Sequence, residues 1–369
     1  MKNSNYNLRQ IISTCLIAGI GGMLFQWIGI PVPWLLGPMI AVVLGRNVMK
    51  WHLAWPYQFR NIGMMVVGYT IGLSMTTAAL RDMALQLPTM LLMTVLLMAL
   101  CTAIAFVVSR LSDSDYQTSL LASLPGGLTQ VIALAEETKG INLAVVTVTQ
   151  VTRLMIIIMV MPLLVMIPFF GQHATGHGET GAIPDVASVS LFPNMLVFAV
   201  LGIILAWLGK KIHFPTAALL GPMLATIVLQ LLGLQGPHLP MPAIDAAQLL
   251  IGTHVGLMLH IDEISQKSRT FSLAIASGVM LVAGSILISL FLTLLHPVSR
   301  ATALLSLAPG GMDQMGIIAH AIGADLSIVS GYQLFRTFFI YFAIPPLLKL
   351  LFKFMIRRRR RRKQGISLH

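Results

Sequence analysis

The chain has 369 residues, of which 56% are hydrophobic and only 10% charged, and its mean hydropathy is +0.85. Soluble domains carry about 25% charged residues, so this composition excludes an ordinary soluble protein and points to one embedded in a lipid bilayer. The net charge of +12 does not indicate nucleic acid, because Arg357 to Arg362 and Lys363 supply seven positive charges in one run and leave +5 for the rest.

Apolar segments near the ~20 residues that cross a bilayer as helix follow one another along the chain. In the first half they fall at 10–30, 33–49, 61–80, 86–109, 115–138 and 142–168. The first follows Lys2 and Arg9 as a signal peptide would. No small-x-small cleavage site precedes Pro31, however, and Leu191 to Leu208 opens the second half in the same way, so it reads as a retained span. The second segment carries Leu35-Leu36-Gly37-Pro38-Met39 and the third Gly68-x-x-x-Gly72, a spacing whose usual meaning is close helix contact. The fifth holds Leu124-Pro125-Gly126-Gly127, followed by Thr129 and Gln130. Proline removes a backbone donor and the glycines add conformational freedom, so a broken or re-entrant helix is expected there. The sixth carries Gln150-x-x-Arg153.

After a polar, Gly-rich join at 171–190 the pattern starts again at 191–209, 215–233, 245–261, 271–295, 299–322 and 325–355. Leu219-Leu220-Gly221-Pro222-Met223, Gly252-x-x-x-Gly256 and Pro309-Gly310-Gly311-x-x-Gln314 repeat the first-half blocks at an offset of 184 residues. Gln333-x-x-Arg336 repeats Gln150-x-x-Arg153 at an offset of 183. The chain therefore divides into a first membrane repeat (1–170), a linker loop (171–190), a second repeat (191–356) and a basic tail (357–369) that reads as a cytoplasmic anchor able to touch anionic lipid headgroups. The expected fold is an all-α polytopic membrane protein with about ten transmembrane helices plus two Pro-Gly-Gly broken or re-entrant helices.

Charge orients the halves. With the fifth segments re-entrant and the N-terminus inside, the basic residues outside the spans fall inside the cell, the exceptions being Arg81 and Arg300. A re-entrant second segment with a crossing fifth fits the charges less well. Either arrangement leaves an odd number of spans per half, which inverts one repeat relative to the other, whereas full crossing by all six segments would make the halves parallel and place Lys210 and Lys211 outside.

Arg153 and Arg336 lie about eleven residues into the sixth segments, near mid-membrane at ~1.5 Å rise per residue. A charge there costs at least ~2.5–3.5 kcal/mol. Two roles fit: binding an anionic solute together with Gln150 and Gln333, or capping exposed carbonyls of the neighbouring broken helix. Half-helix N-termini after the breaks favour anions, which places Pro125, Gly126, Gly127, Thr129, Gln130, Pro309, Gly310, Gly311 and Gln314 in the candidate substrate site. Asp313 falls well inside a predicted span and could carry a coupling proton or sodium ion, or pair with an Arg. His254, aligned with Thr70, could take a proton or sit satisfied in the core. Cys15 and Cys101 form no disulfide or metal framework. His173 and His177 lie in the Gly-rich join, and no metal or cofactor is expected.

The duplicated Leu-Leu-Gly-Pro-Met and Pro-Gly-Gly blocks with the following Gln-x-x-Arg resemble the bacterial AbrB-type membrane protein family across nearly the whole chain. That resemblance implies a tandem duplication placed in the cell inner membrane, unrelated to the soluble DNA-binding regulator of the same name. It also implies a distant likeness to cation/anion antiporters and bile-acid-symporter-type transporters, which have inverted repeats and broken helices. Family labels include regulator of gene expression and ammonia monooxygenase. The expected function is secondary transport or export of a small anionic solute by alternating access, with a membrane-embedded regulator as the alternative and a homodimer as the oligomer to test. An enzyme is not expected, because the ten histidines scatter over loops and separate segments.

Overall fold

The computed structural model describes residues 7–112, 115–125, 131, 135, 141–170, 191–212, 214, 216–258, 268–343 and 346–347. Among them there is no strand. In the first half the helices are α1 (Leu8–Ile28), α2 (Pro33–Asn47), α3 (Tyr57–Ser74), α4 (Thr77–Leu85), α5 (Leu87–Leu111), α6 (Tyr116–Ser123) and α7 (Leu143–Met166). In the second they are α8 (Leu191–Lys211), α9 (Ala217–Leu231), α10 (Met241–Met258), α11 (Ser268–Leu295), α12 (Arg300–Leu307), α13 (Met312–Ala321) and α14 (326–343).

The chain is a multi-pass helical membrane protein. Five helices among the described residues are long and apolar enough to cross a bilayer: Leu8–Ile28, Leu87–Leu111, Val145–Met166, Asn194–Lys211 and Phe271–Leu295. Their outer faces expose large apolar side chains such as Leu16, Met23, Ile203 and Leu287, a surface that water would disfavour and lipid accepts. The third segment differs from the single span expected at 61–80. It bends by 84° between Ser74 and Thr77, where the Thr76 hydroxyl accepts from the Ala79 N–H at 3.2 Å and starts a new helix. The second segments are 15-residue helices, shorter than a full crossing.

Two bundles result. Helices α1–α3 and α8–α10 pack chiefly on one another, and α5–α7 pack with α11 and α12. Helix α14 joins the second bundle through Tyr332 against Met90 and Met93, and through Ile340 against Leu120 and Leu121.

The first bundle is built by exchange between the halves. A methyl group at Gly68 of α3 would strike the Leu219 carbonyl of α9, and one at Gly252 of α10 would strike the Leu35 carbonyl of α2. These are the same contact with the halves swapped. Gly72 against Met223 and Gly256 against Met39 repeat it one turn on. Gly37 and Gly221 seat α2 on Gly21 of α1 and α9 on Ala206 of α8.

Equivalent backbone strain accompanies this. Val32 (φ 53°) and Thr216 (φ 46°) both hold the left-handed conformation immediately before α2 and α9, a region that β-branched residues rarely adopt.

Between the bundles the core is apolar. Leu35, Met39, Met64 and Ile71 of the first share one buried cluster with Ile157, Ile158, Leu304 and Leu305 of the second. Ser327 donates to the Ser74 carbonyl across this divide at 2.6 Å.

Candidate functional site

The site begins where α6 and α12 stop. Pro125 and Pro309 carry no N–H, so the carbonyls four residues earlier, at Leu121 and Leu305, cannot receive their helical hydrogen bonds. Gln150 of α7 supplies the missing donor, its Nε2 reaching Leu121 O at 3.0 Å and Leu124 O at 2.9 Å. Gln333 of α14 does the same for Leu305 O at 2.7 Å and Ala308 O at 3.0 Å. A side-chain amide from the next helix replaces the donor that proline lacks.

The arginines finish the capping. Arg153 Nη1 donates to Ser123 O at 3.0 Å and Leu124 O at 2.9 Å. Arg336 Nη1 donates to Ala308 O and its Nη2 to Gly310 O, each at 2.7 Å. Each guanidinium also holds its own glutamine, Arg153 Nη2 donating to Gln150 Oε1 at 2.6 Å and Arg336 Nη2 to Gln333 Oε1. Neither has a carboxylate partner among the described residues. Hydrogen bonds to a charged group contribute about 1.5–3 kcal/mol each, so the carbonyl cluster offsets much of the cost of burying the cation. Arg153 Nε is buried without a partner.

Of the two roles expected for Gln-x-x-Arg, capping is therefore met in the bonds themselves. The supporting frame is equally duplicated. Thr118 Oγ1 accepts from Asn142 N at 3.3 Å, and Thr302 Oγ1 from Asp325 N at 3.1 Å, joining the start of each broken segment to the start of the following helix.

Beyond the second break, Gly311 opens α13, with Asp313 and Gln314 in its first turn. Both side chains are buried. Gln314 Nε2 donates to Asp313 Oδ2 at 2.9 Å, and Gln314 Oε1 has no partner. Asp313 does not pair with an Arg. Thr129 would be its counterpart, but Gly126, Gly127, Thr129 and Gln130 lie outside the described residues, as do the linker at 171–190 and the tail at 357–369.

A cavity of about 650 Å³ lies between the bundles and receives both breaks. Pro125, Gln150 and Arg153 reach it from the first half, and Pro309, Gly310, Gly311, Asp313, Gln314 and Arg336 from the second. Gln333 does not reach the wall, being fully occupied with carbonyls. His254 stands on the wall rather than in the core, its ring edge-on to Tyr57 at 5.7 Å.

Arg60, Asn61 and Lys210 are polar residues of the wall that no motif singles out. In the sequence Arg60 and Lys210 are two of the basic residues outside the spans that orient the halves. Neither recurs in the other half, so a search for repeats passes over them, and only folding brings their helices to the cavity. Met64, Leu154, Trp207, Phe214 and Ile340 supply apolar surface. Among the described residues no three of His, Cys, Asp and Glu come together as a metal site.

A family model described as Transition state regulatory protein AbrB matches residues 34–352. The chain is 26% identical over 365 residues to the protein YhjN of Bacillus subtilis strain 168, covering 94% of each. It is 24% identical over 337 residues to the "Putative regulator AbrB" of Escherichia coli strain K12, covering 91% of this chain and 95% of that one.

Proposed function

Because the chain belongs to the AbrB family, whose duplicated blocks build both breaks of the cavity wall, we propose that it is a secondary transporter or exporter of a small organic anion working by alternating access across the inner membrane. The observation that carries this reading is the cavity between two bundles, where among the described residues Arg60, Arg153, Lys210 and Arg336 stand on the wall against the single carboxylate of Asp313. Four cations facing one acid in a low-dielectric pocket attract an anion. The volume suits a small organic molecule, since ligand sites run about 300–1,000 Å³. The apolar wall favours a solute with a carbon skeleton over a bare inorganic ion.

An inverted arrangement of the repeats belongs to the same reading. The swapped glycine contacts relate the halves by an exchange, and in this reading the positive-inside rule assigns the N-terminus and the tail to the cytoplasmic side. One bundle moving against the other along their apolar boundary would open the cavity to each side in turn. In this division of labour Arg153 and Arg336 hold the unwound backbone and add field, while Arg60 and Lys210, at the ends of α3 and α8, meet the solute.

Reconstituted protein screened for uptake of organic anions tests this. Arg60→Gln and Lys210→Gln are expected to raise KM several-fold, more so at low salt. Wild-type flux in both variants would remove the assignment.

The names of the family model and of the K12 relative favour regulation of gene expression as a second reading. Deleting Arg357 to His369 separates the two. A signalling role would be lost with the tail, whereas transport would persist. The chain has no enzymatic role in either reading, and copper and iron analysis of the purified protein tests that.

A further inference from the structure

Asp313 and Gln314 form a buried pair whose hydrogen bonds do not close. Gln314 Nε2 donates to Asp313 Oδ2 at 2.9 Å, which fixes the amide's orientation. Its Oε1 is then buried with no donor to meet it, in a side chain only 3% exposed. Asp313 Oδ1 crowds the same spot. Both oxygens stand against the point where a Cβ on residue 311 would project, Oδ1 at 2.5 Å from it, so Gly311 leaves the space in which they meet. The backbone N–H groups of Asp313 and Gln314 meet the carboxylate, so the acceptor left without a donor is Gln314 Oε1, and a buried acceptor in that state is costly unless a donor lies between it and Asp313 Oδ1.

A metal cation is a poor occupant. Hard cations take six or more oxygen ligands, and carbonyls of the adjoining break already have donors. Ala308 O accepts from Gln333 and Arg336, and Gly310 O from Arg336. A proton needs only the two that remain.

We infer that Asp313 is a proton-binding site opening on the cavity. On binding, the Oδ1–H bond forms and is donated to Gln314 Oε1, while Nε2–H continues to Oδ2. The carboxylic acid and the amide then close a cyclic pair with every polar atom satisfied, and release returns the carboxylate. The groups facing it across the cavity are Arg60 and Tyr57 from α3, His254 from α10, Lys210 from α8, Arg153 from α7, and Arg336 and Tyr341 from α14. Thr129 holds the equivalent position in the first half, so each chain has one such site. That this proton drives solute movement rests on the transport reading, whereas its binding does not.

Infrared difference spectra of the full-length protein in nanodiscs, taken across a pH titration in sodium chloride and again in choline chloride, test the inference. One carboxylic-acid carbonyl band should grow as pH falls, be absent from Asp313→Asn, and titrate identically in both salts. Gln314→Glu should raise its midpoint by at least about one pH unit, because two adjacent carboxyls share a proton. A titration with no band that Asp313→Asn removes, or a midpoint displaced by sodium, overturns the inference. If Asp313→Asn does not fold, an unmoved midpoint in Gln314→Glu overturns it instead. The readout needs no solute: the band without anion flux sinks the transport reading alone, and flux without the band sinks the proton site alone.

Discussion

Gln333 Nε2 lies 2.7 Å from the carbonyl oxygen of Leu305, the acceptor that Pro309 leaves without its helical donor. The same relation holds between Gln150 and Leu121, orphaned by Pro125. The two Gln-x-x-Arg motifs are thus complements of the Pro-Gly-Gly breaks, and the two must be understood as one unit.

That unit can be dissected by restoring the missing donor. Gln333→Leu should destabilise the protein by about 1–3 kcal/mol, the cost of a buried unsatisfied acceptor. Pro309→Ala gives residue 309 an N–H of its own. In the Gln333→Leu background it should recover part of that loss, with a coupling on the order of 1 kcal/mol in a double-mutant cycle. Thermal unfolding in detergent reads both. Strict additivity would show that the glutamine acts elsewhere.

The swapped glycine contacts give a symmetric pair. Gly68→Ala and Gly252→Ala each force a methyl group against a carbonyl of the other half, and overpacking of this kind costs about 1–3 kcal/mol. Their effects should be alike. Gly19→Ala on α1, which meets nothing within 4 Å, should be neutral or stabilising by up to ~1 kcal/mol from helix propensity. Unfolding midpoints that rank Gly19→Ala with the other two would refute this packing.

Relief of strain should separate the otherwise equivalent Val32 and Thr216. Thr216 is exposed, so Thr216→Gly removes left-handed strain of about 1–2 kcal/mol with little lost packing and should raise the melting temperature. Val32 is only 3% exposed in the core. Val32→Gly gains the same relief but loses about 1.5–3 kcal/mol of side-chain burial, and should come out neutral to destabilising. Equal stabilisation by both would contradict the burial difference.

Movement between the bundles, central to the proposed function, can be blocked at the Ser327–Ser74 contact. In a background with Cys15 and Cys101 replaced, Ser74→Cys and Ser327→Cys joined through disulfides by a short bis-methanethiosulfonate reagent should abolish anion flux, and reductant should restore it. Full flux in the crosslinked protein would mean the bundles do not move at this boundary.

Composition alone places this chain in a membrane, and the two offsets disclose its duplication, because lipid burial and helix breaking act on residues close together in sequence. The 84° bend after Ser74 was not legible, since the stretch on either side of it is apolar enough to read as one span. The pairing of Gln-x-x-Arg with Pro-Gly-Gly was half legible: the sequence shows both motifs in each half, but not whether the guanidinium serves a solute or the backbone. That depends on which carbonyls come within 3 Å. The exchange of α2, α3, α9 and α10, the convergence of Arg60 and Lys210 on the cavity, and the stranded Oε1 of Gln314 belong to tertiary structure alone. They arise between residues far apart in the chain or from the aim of a single amide, which no local pattern of hydropathy or charge encodes.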